Sequence, residues 1–398
     1  MRVPDPRSSD PFVLLEDRQA HETLCFAHCH QIIEARSYDA VPATLAAMLD
    51  AQRAGYFLAG YAAYELGYMF EPRLAPLAPA LNGPLIQFGV FDEPQRFDWD
   101  SVNGSAFAGC FSAFWTFDEY AARFRQAIEY IRAGDIYQVN LTFPLTGSWS
   151  GDPVALFAAL RAFQPAPYGA LVALGQETIL SLSPELFFET EGSLIRTRPM
   201  KGTAPRGPSP EEDRRAATSL ASSEKNRAEN LMIVDLLRND LSRVSEIGSV
   251  RVTDLFSVER YPTLFQMTSG VEARLRRDMQ FPDLLRSLFP CGSVTGAPKI
   301  RAMEVIRELE AHPRGVYCGS IGMLSPKGEA RFNVAIRTLT LARSGQATFN
   351  VGSGLVFDSE ARSEYDECLL KAAFLARSAT SLRAASNVPV ELGSGRRN

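Results

Sequence analysis

The sequence predicts an α+β fold with a largely antiparallel sheet. Two observations predict it. Strand-like segments come in runs, at 169–175, 178–183, 186–190 and 193–199, and again at 316–324, 331–342 and 346–357. Helical stretches stand between these runs instead of following each strand, so the regular alternation of a parallel, doubly wound sheet is missing.

The elements follow in order. Residues 1 to about 110 read as short strands and turns, Phe57 to Glu65 among them, and 77–83, rich in Pro and Ala, as a loop. From Asp118, Tyr120, Phe124, Ala127, Ile128 and Ile131 fall on one stripe of a helix that Gly134 stops. A strand from Ile136 to Leu145 follows. Its alternation puts Tyr137, Val139, Leu141 and Phe143 on one face and Gln138, Asn140 and Thr142 on the other, which is either wet or lines a pocket. After the first run of strands comes a long helix over 224–238, and after the second run a final helix over 359–378. The expected division is an N-terminal subdomain over residues 1–112, a core over 113–380 and a flexible tail over 381–398.

Composition narrows the function. A net charge of −5 gives no reason to expect nucleic acid or an anionic membrane surface as a partner. The most apolar stretch, Gly55 to Phe70, is too short to span a bilayer and contains Glu65. The N-terminus does not read as a signal peptide, so a cytoplasmic protein without membrane contact is expected. Six cysteines in 398 residues make no disulfide pattern. The cluster Cys25-Phe-Ala-His-Cys-His30 lacks a second ligand pair and reads as buried thiols in preference to a zinc site. With four histidines in all, chemistry must rest mostly on carboxylates, lysines, arginines and amides.

Lys201 stands out, framed by Pro199-Met200 on one side and Gly202-Thr203 on the other. Burial or neighbouring cations, for which Arg196, Arg198 and Arg206 are candidates, would turn its amine into a nucleophile; the competing reading is a basic surface loop. Glu360, Glu364, Glu367 and Lys371 share one stripe of the last helix, either as a solvated charged face or as oxygen ligands for Mg²⁺. Glu229, on a largely apolar helix, should be paired or metal-bound. The segment Cys291 to Lys299 leads into a helix whose free N–H groups suit an anion, and the glycines of Val351 to Leu355 let a ligand approach the backbone. Arg337, placed on a strand, suits a carboxylate. No Walker loop or GxGxxG is present, so a nucleotide is not indicated.

Over roughly 115–378 the chain resembles the chorismate-utilising enzymes. The residues that carry the resemblance are Ala133-Gly-Asp-Ile-Tyr-Gln-Val-Asn140, Ser183-Pro-Glu185, Arg198-Pro-Met-Lys-Gly-Thr203, Ala228-Glu-Asn230 with Leu237-Arg-Asn-Asp240, Gly292 to Lys299, Tyr317 to Gly322, and Val351 to Gly354 with Glu364-Tyr-Asp-Glu367. The resemblance implies two packed, largely antiparallel sheets flanked by helices and a Mg²⁺-dependent reaction on chorismate. It implies that Glu229 and Glu367 ligate the metal, with Glu364 supporting. By the same resemblance Thr295, Gly296, Tyr317, Arg337, Gly352, Gly354 and Lys371 grip the substrate's carboxylates, and Glu185 is the acid that protonates the departing 4-hydroxyl. Such an acid needs a raised pKa.

Two positions sort the members. Relatives that hydroxylate C2 carry a lysine base where this chain has Gln138, and anthranilate synthases usually carry alanine where it has Lys201. The resemblance therefore implies amination at C4 to 4-amino-4-deoxychorismate, for p-aminobenzoate and folate, through a Lys201 adduct at C2. Two residues depart from many relatives: Gln266 replaces a histidine linked to the enolpyruvyl group, and Asn226 replaces a glutamate near the metal. Leu14-Leu-Glu16 echoes a tryptophan-binding segment of some relatives. The sequence has no Gly-x-Cys-x-Gly loop, so a separate glutamine amidotransferase subunit is the expected ammonia source. The rival readings are anthranilate synthase component I and a catalytically silent chorismate-binding regulatory subunit.

Overall fold

The computed structural model describes residues 10–17, 20–164, 166–261 and 264–375. The tail expected over 381–398 and the first nine residues, which belong to the segment read for a signal peptide, lie outside them.

Two large antiparallel sheets form the frame. In the first, the strands lie in the order Gly296–Ala297, Gln138–Gly151, Gln346–Leu355, Thr338–Ala342, Glu177–Ser181, Ala170–Ala173, Phe12–Asp17, Glu22–Phe26 and Gln95–Arg96. In the second the order is Met200–Pro205, Leu264–Arg274, Leu194–Arg198, Leu186–Glu191, Ala330–Asn333, Ser320–Leu324, Phe57–Ala62, Ile86–Phe91 and Gln31–Ala35, with Arg251–Arg260 also on Leu264–Arg274. Strands from before and after residue 113 thus share both sheets. Alternation seals them together: Val13 and Leu15 of the first sheet pack with Ala59, Tyr61 and Ile321 of the second, while Phe12 and Leu14 face the larger, helix-covered core.

The helix expected from Asp118 runs Phe117–Arg132. Thr116 and Glu119 close a capping box at its start, its five apolar stripe residues are buried, and Gly134 ends it with φ +78. The strand after it spans Gln138–Gly151, and its polar face is not wet: Gln138, Asn140 and Thr142 are as buried as Val139, Leu141 and Phe143, while Tyr137 is exposed. The single strand expected over 331–342 is two, Ala330–Asn333 and Thr338–Ala342, because the chain crosses from one sheet to the other between them. Arg337 sits in that crossing with φ +52, not on a strand. The long helix spans Glu224–Ser242 and the last one Ala361–Leu370. The first hundred residues also hold a helix, Val41–Arg53, which buries Val41, Thr44, Leu45 and Met48. Cys25 is buried, but Cys29 is only half-buried and its thiol donates to the Gln31 carbonyl.

A buried polar knot anchors the strand Gln138–Gly151. Arg314 donates to both oxygens of Glu310, at 2.7 and 2.8 Å, and to the carbonyls of Val294 and Asn140. Glu310 also accepts the Thr142 N–H at 2.8 Å, and Glu65 accepts the Arg314 N–H at 2.6 Å. Arg314→Met would leave Glu310 buried without its cation. Removing one partner of a buried pair costs about 3–5 kcal/mol, so urea unfolding should show a loss of that size; a shift below about 1 kcal/mol would mean that the knot is not structural.

Candidate active site

Lys201 is presented by a bulge in an edge strand, not by a loop. Met200 pairs with Thr268 and Thr203 with Gln266, so Lys201 and Gly202 together oppose the single residue Met267. Gly202 takes φ +80, a conformation that a β-carbon disfavours. The bulge turns the lysine inward. The three arginines proposed as its cationic neighbours are otherwise engaged: Arg198 binds Glu259 at 2.6 Å and Asp254 at 3.0 Å, Arg206 binds Asp213 at 2.6 and 2.7 Å, and Arg196 binds Glu191 at 3.3 Å. Burial is instead the first cause of a lowered Lys201 pKa. Glu229 opposes it, the Lys371 ammonium adds to it, and Glu185 and Glu367 oppose it further.

Glu185 lies across from this amine. Its Ser-Pro-Glu turn is pinned by Ser183, whose hydroxyl donates to the Val334 carbonyl at 2.6 Å and accepts the Glu185 N–H at 3.2 Å. Burial pushes the Glu185 carboxyl up to about 7, against the hydrogen bond from Ser293, the Lys201 charge and the Met200 backbone. One oxygen, Oε1, has no hydrogen-bond partner among the described residues. Ser293 gave no sequence signal beyond lying in a glycine-bearing segment.

Gln138 is fully buried, and neither polar atom of its amide has a partner among the described residues. A β-carbon on Gly354 would fall 2.9 Å from its Nε2 and 3.1 Å from the Lys201 nitrogen. These three residues therefore meet, and only a bare backbone leaves room between amide and amine. Gly354→Ala should cut kcat/KM roughly tenfold to a hundredfold, since a 1 Å displacement of reacting groups costs about that much. The fold should survive, because the groups it strikes are ends of long side chains; an unchanged kcat/KM would show that this contact is idle.

Arg337 is largely buried, which lowers its pKa, and no ion pair to it is found among the described residues. Tyr317 is buried, its hydroxyl pKa raised by desolvation. Gly296 pairs with Val139 on the Gln138 strand. The N–H of Thr295, expected free, bonds the Gly292 carbonyl at 3.3 Å, and its hydroxyl bonds the carbonyls of Cys291 and Gly292. The helix after it begins at Lys299, whose ammonium is held by Asp240 at 2.5 Å.

The carboxylates come from two helices. Lys371 lies 2.8 Å from Glu367 and donates to the Gly352 carbonyl at 2.7 Å, and Ser359 donates to Glu364 at 2.7 Å. Burial pushes Glu367 up, but the Lys371 charge and hydrogen bond hold it below the usual carboxylate range. Glu229 is raised by burial, lowered by Lys201 and Lys225, and raised again by Glu364 and Glu367. Three carboxylates that repel one another are hard oxygen donors of the kind a divalent cation takes. As placed, no three such groups among the described residues converge to ligand distance. The last helix turns Tyr365 and Cys368 into the core, while Leu369 is partly exposed.

Residues 100–377 match the family described as chorismate binding enzyme. Aminodeoxychorismate synthase component 1 of Escherichia coli (strain K12) is 49% identical over 252 residues, 63% of this chain and 55% of that protein, so the chain matches about half of that relative's length. The protein of the same name from Klebsiella aerogenes is 46% identical over 333 residues, 77% of this chain and 74% of that one. The crystal structure of anthranilate synthase component I from Streptococcus pneumoniae TIGR4 superimposes with a TM-score of 0.74 at 26% identity, covering 92% of this chain and 90% of that one.

Proposed function

The chain belongs to the chorismate binding enzyme family, and from that membership we propose that it aminates chorismate at C4 to give 4-amino-4-deoxychorismate, the precursor of p-aminobenzoate. The observation that carries the reading is the buried Lys201 amine, turned by its bulge toward Glu185 and Gln138.

The neutral amine of Lys201 attacks C2. The ring double bonds shift toward C4, and Glu185 gives its proton to the leaving 4-hydroxyl, which departs as water. Ammonia then attacks C4, the double bonds shift back, and the Lys201–C2 bond breaks to regenerate the amine. Burial serves both groups: it raises the Glu185 carboxyl to about 7, toward the protonated acid, and lowers the Lys201 amine, toward the neutral nucleophile. Gln138 offers an amide, which cannot deprotonate water, so hydroxylation at C2 is disfavoured. Arg337 and Lys371 would receive the substrate's carboxylates, with Tyr317 and the backbone at Gly296, Gly352 and Gly354 completing the cradle, while the Thr295 N–H stays on Gly292. Glu229, Glu364 and Glu367 would hold Mg²⁺, which supplies positive charge for the ring carboxylate.

Ammonia would come from a separate glutamine amidotransferase; the relatives' designation as a component 1 supports a second component. A cytoplasmic location fits this role, and no helix among the described residues is long and apolar enough to cross a membrane. Incubation with chorismate, Mg²⁺ and ammonium, followed by mass spectrometry, tests the reading. Aminodeoxychorismate without pyruvate is expected; anthranilate with pyruvate would make the chain the functional counterpart of the S. pneumoniae neighbour instead.

A further inference from the structure

We propose that Gln266 is a positioning residue that aims Lys201, by clamping the bulge with both ends of its amide. The inference rests on the proposed role of Lys201. Gln266 is buried on the strand Leu264–Arg274, opposite the bulge. Its Nε2 donates to the Gly202 carbonyl at 2.7 Å, and its Oε1 accepts from the Thr203 hydroxyl at 2.9 Å. A carbonyl only accepts, so the orientation of the amide is set by its partners.

The clamp acts where the backbone is softest. Gly202, at φ +80, lacks the side chain that would narrow its conformations. Fixing its carbonyl fixes the Gly202–Thr203 peptide, the far side of the bulge, and so limits the turn at Gly202 that sets the direction in which the Lys201 stem leaves the strand. Asn226 closes the other side: its Oδ1 and Cγ lie 3.1 and 2.9 Å from where a Gly202 β-carbon would stand, and its Nδ2 is held by Ser223 at 3.0 Å. Gln266 and Asn226, two departures from the pattern of relatives, thus converge on one glycine. The bonds of Gln266 go to Gly202 and Thr203 and not to the lysine itself, so its influence runs through the bulge. The carboxamide presents donor and acceptor side by side to adjacent residues; the two ring nitrogens of an imidazole point apart and cannot engage both in the same way.

Gln266→Met keeps the length of the side chain and removes both bonds. We expect kcat for ammonia-dependent amination to fall roughly thirtyfold to a hundredfold, the scale of a 1 Å misplacement, with the KM for chorismate within about twofold, because Arg337 and Lys371 are untouched. In a Lys201→Ala background the same change should cost less than about twofold, since a residue acting through the lysine has nothing left to aim. Thr203→Val, which frees only the acceptor end, should lose activity in the same direction by less, and it keeps the test intact should Gln266→Met fold poorly. A second readout does not depend on turnover: acetic anhydride labelling of Lys201, read by peptide mass spectrometry against an exposed lysine, should change several-fold in Gln266→Met. Equal losses in both backgrounds, or unchanged labelling, would overturn the role of Gln266. A wild-type protein that releases pyruvate or makes no aminated product would instead overturn the proposed function, and the labelling comparison would still judge the clamp.

Discussion

Lys201→Ala should lower ammonia-dependent amination of chorismate by about a thousandfold, about 4 kcal/mol of transition-state stabilisation. In the proposed mechanism the lysine carries the attacking atom, and its loss would leave direct attack by ammonia at C4 with slow departure of the 4-hydroxyl. The fold should tolerate the change, because burial disfavours the ammonium and its removal relieves that cost. The KM for chorismate should move little, since the carboxylate-binding cations remain. Product quantified by mass spectrometry at a fixed concentration of neutral ammonia measures the effect. Wild-type turnover in this variant would end the adduct mechanism.

Glu185→Gln should cost roughly a hundredfold to ten-thousandfold, the range of a lost general acid. Its pH profile is more telling than its size. A carboxyl of pKa about 7 must be protonated to act, so the contribution of Glu185 falls as pH rises through about 7. Lys201 must be neutral, so its contribution rises with pH. The wild-type profile should therefore be bell-shaped, and the Glu185→Gln residual should keep only the rising limb. A falling alkaline limb that survives the substitution would assign it to another group.

How much of this was legible in the sequence depends on how local each signal is. The helix Phe117–Arg132 was readable because its cap, stripe and stop all lie within its own residues. The helix Val41–Arg53 carried the same kind of signal, with Val41, Thr44, Leu45 and Met48 at helical spacing, and went unread among short strands. The helix Pro210–Ser222 buries only Asp213 and Leu220, so it has almost no stripe to read. The buried polar face of Gln138, Asn140 and Thr142 was visible as a pattern but not as burial, because its cover comes from distant segments such as Val294, Cys318 and Arg314. Glu310 and Arg314 look like a surface i,i+4 pair and are interior. The bulge at Lys201 was out of reach for the same reason: a loop and an edge strand differ only in the partner, and that partner lies more than sixty residues on.

The weaving of the two sheets has a consequence for how such a chain can change over time. The family match begins at residue 100, yet Phe12–Asp17 lies beside Ala170–Ala173, Phe57–Ala62 beside Ser320–Leu324, and Glu65 holds the backbone of Arg314. Among the described residues no seam opens along which the early stretch of the chain could be lifted out and exchanged for that of a cousin. Foreign versions of Phe12–Asp17 and Phe57–Ala62 would have to match the registers of Ala170–Ala173 and Ser320–Leu324, far along the chain, and the foreign carboxylate would have to arrive beneath the same arginine. Divergence in the early stretch of the chain should therefore fall between its strands, in the turns and on the helix Val41–Arg53, while the strands change in step with their partners.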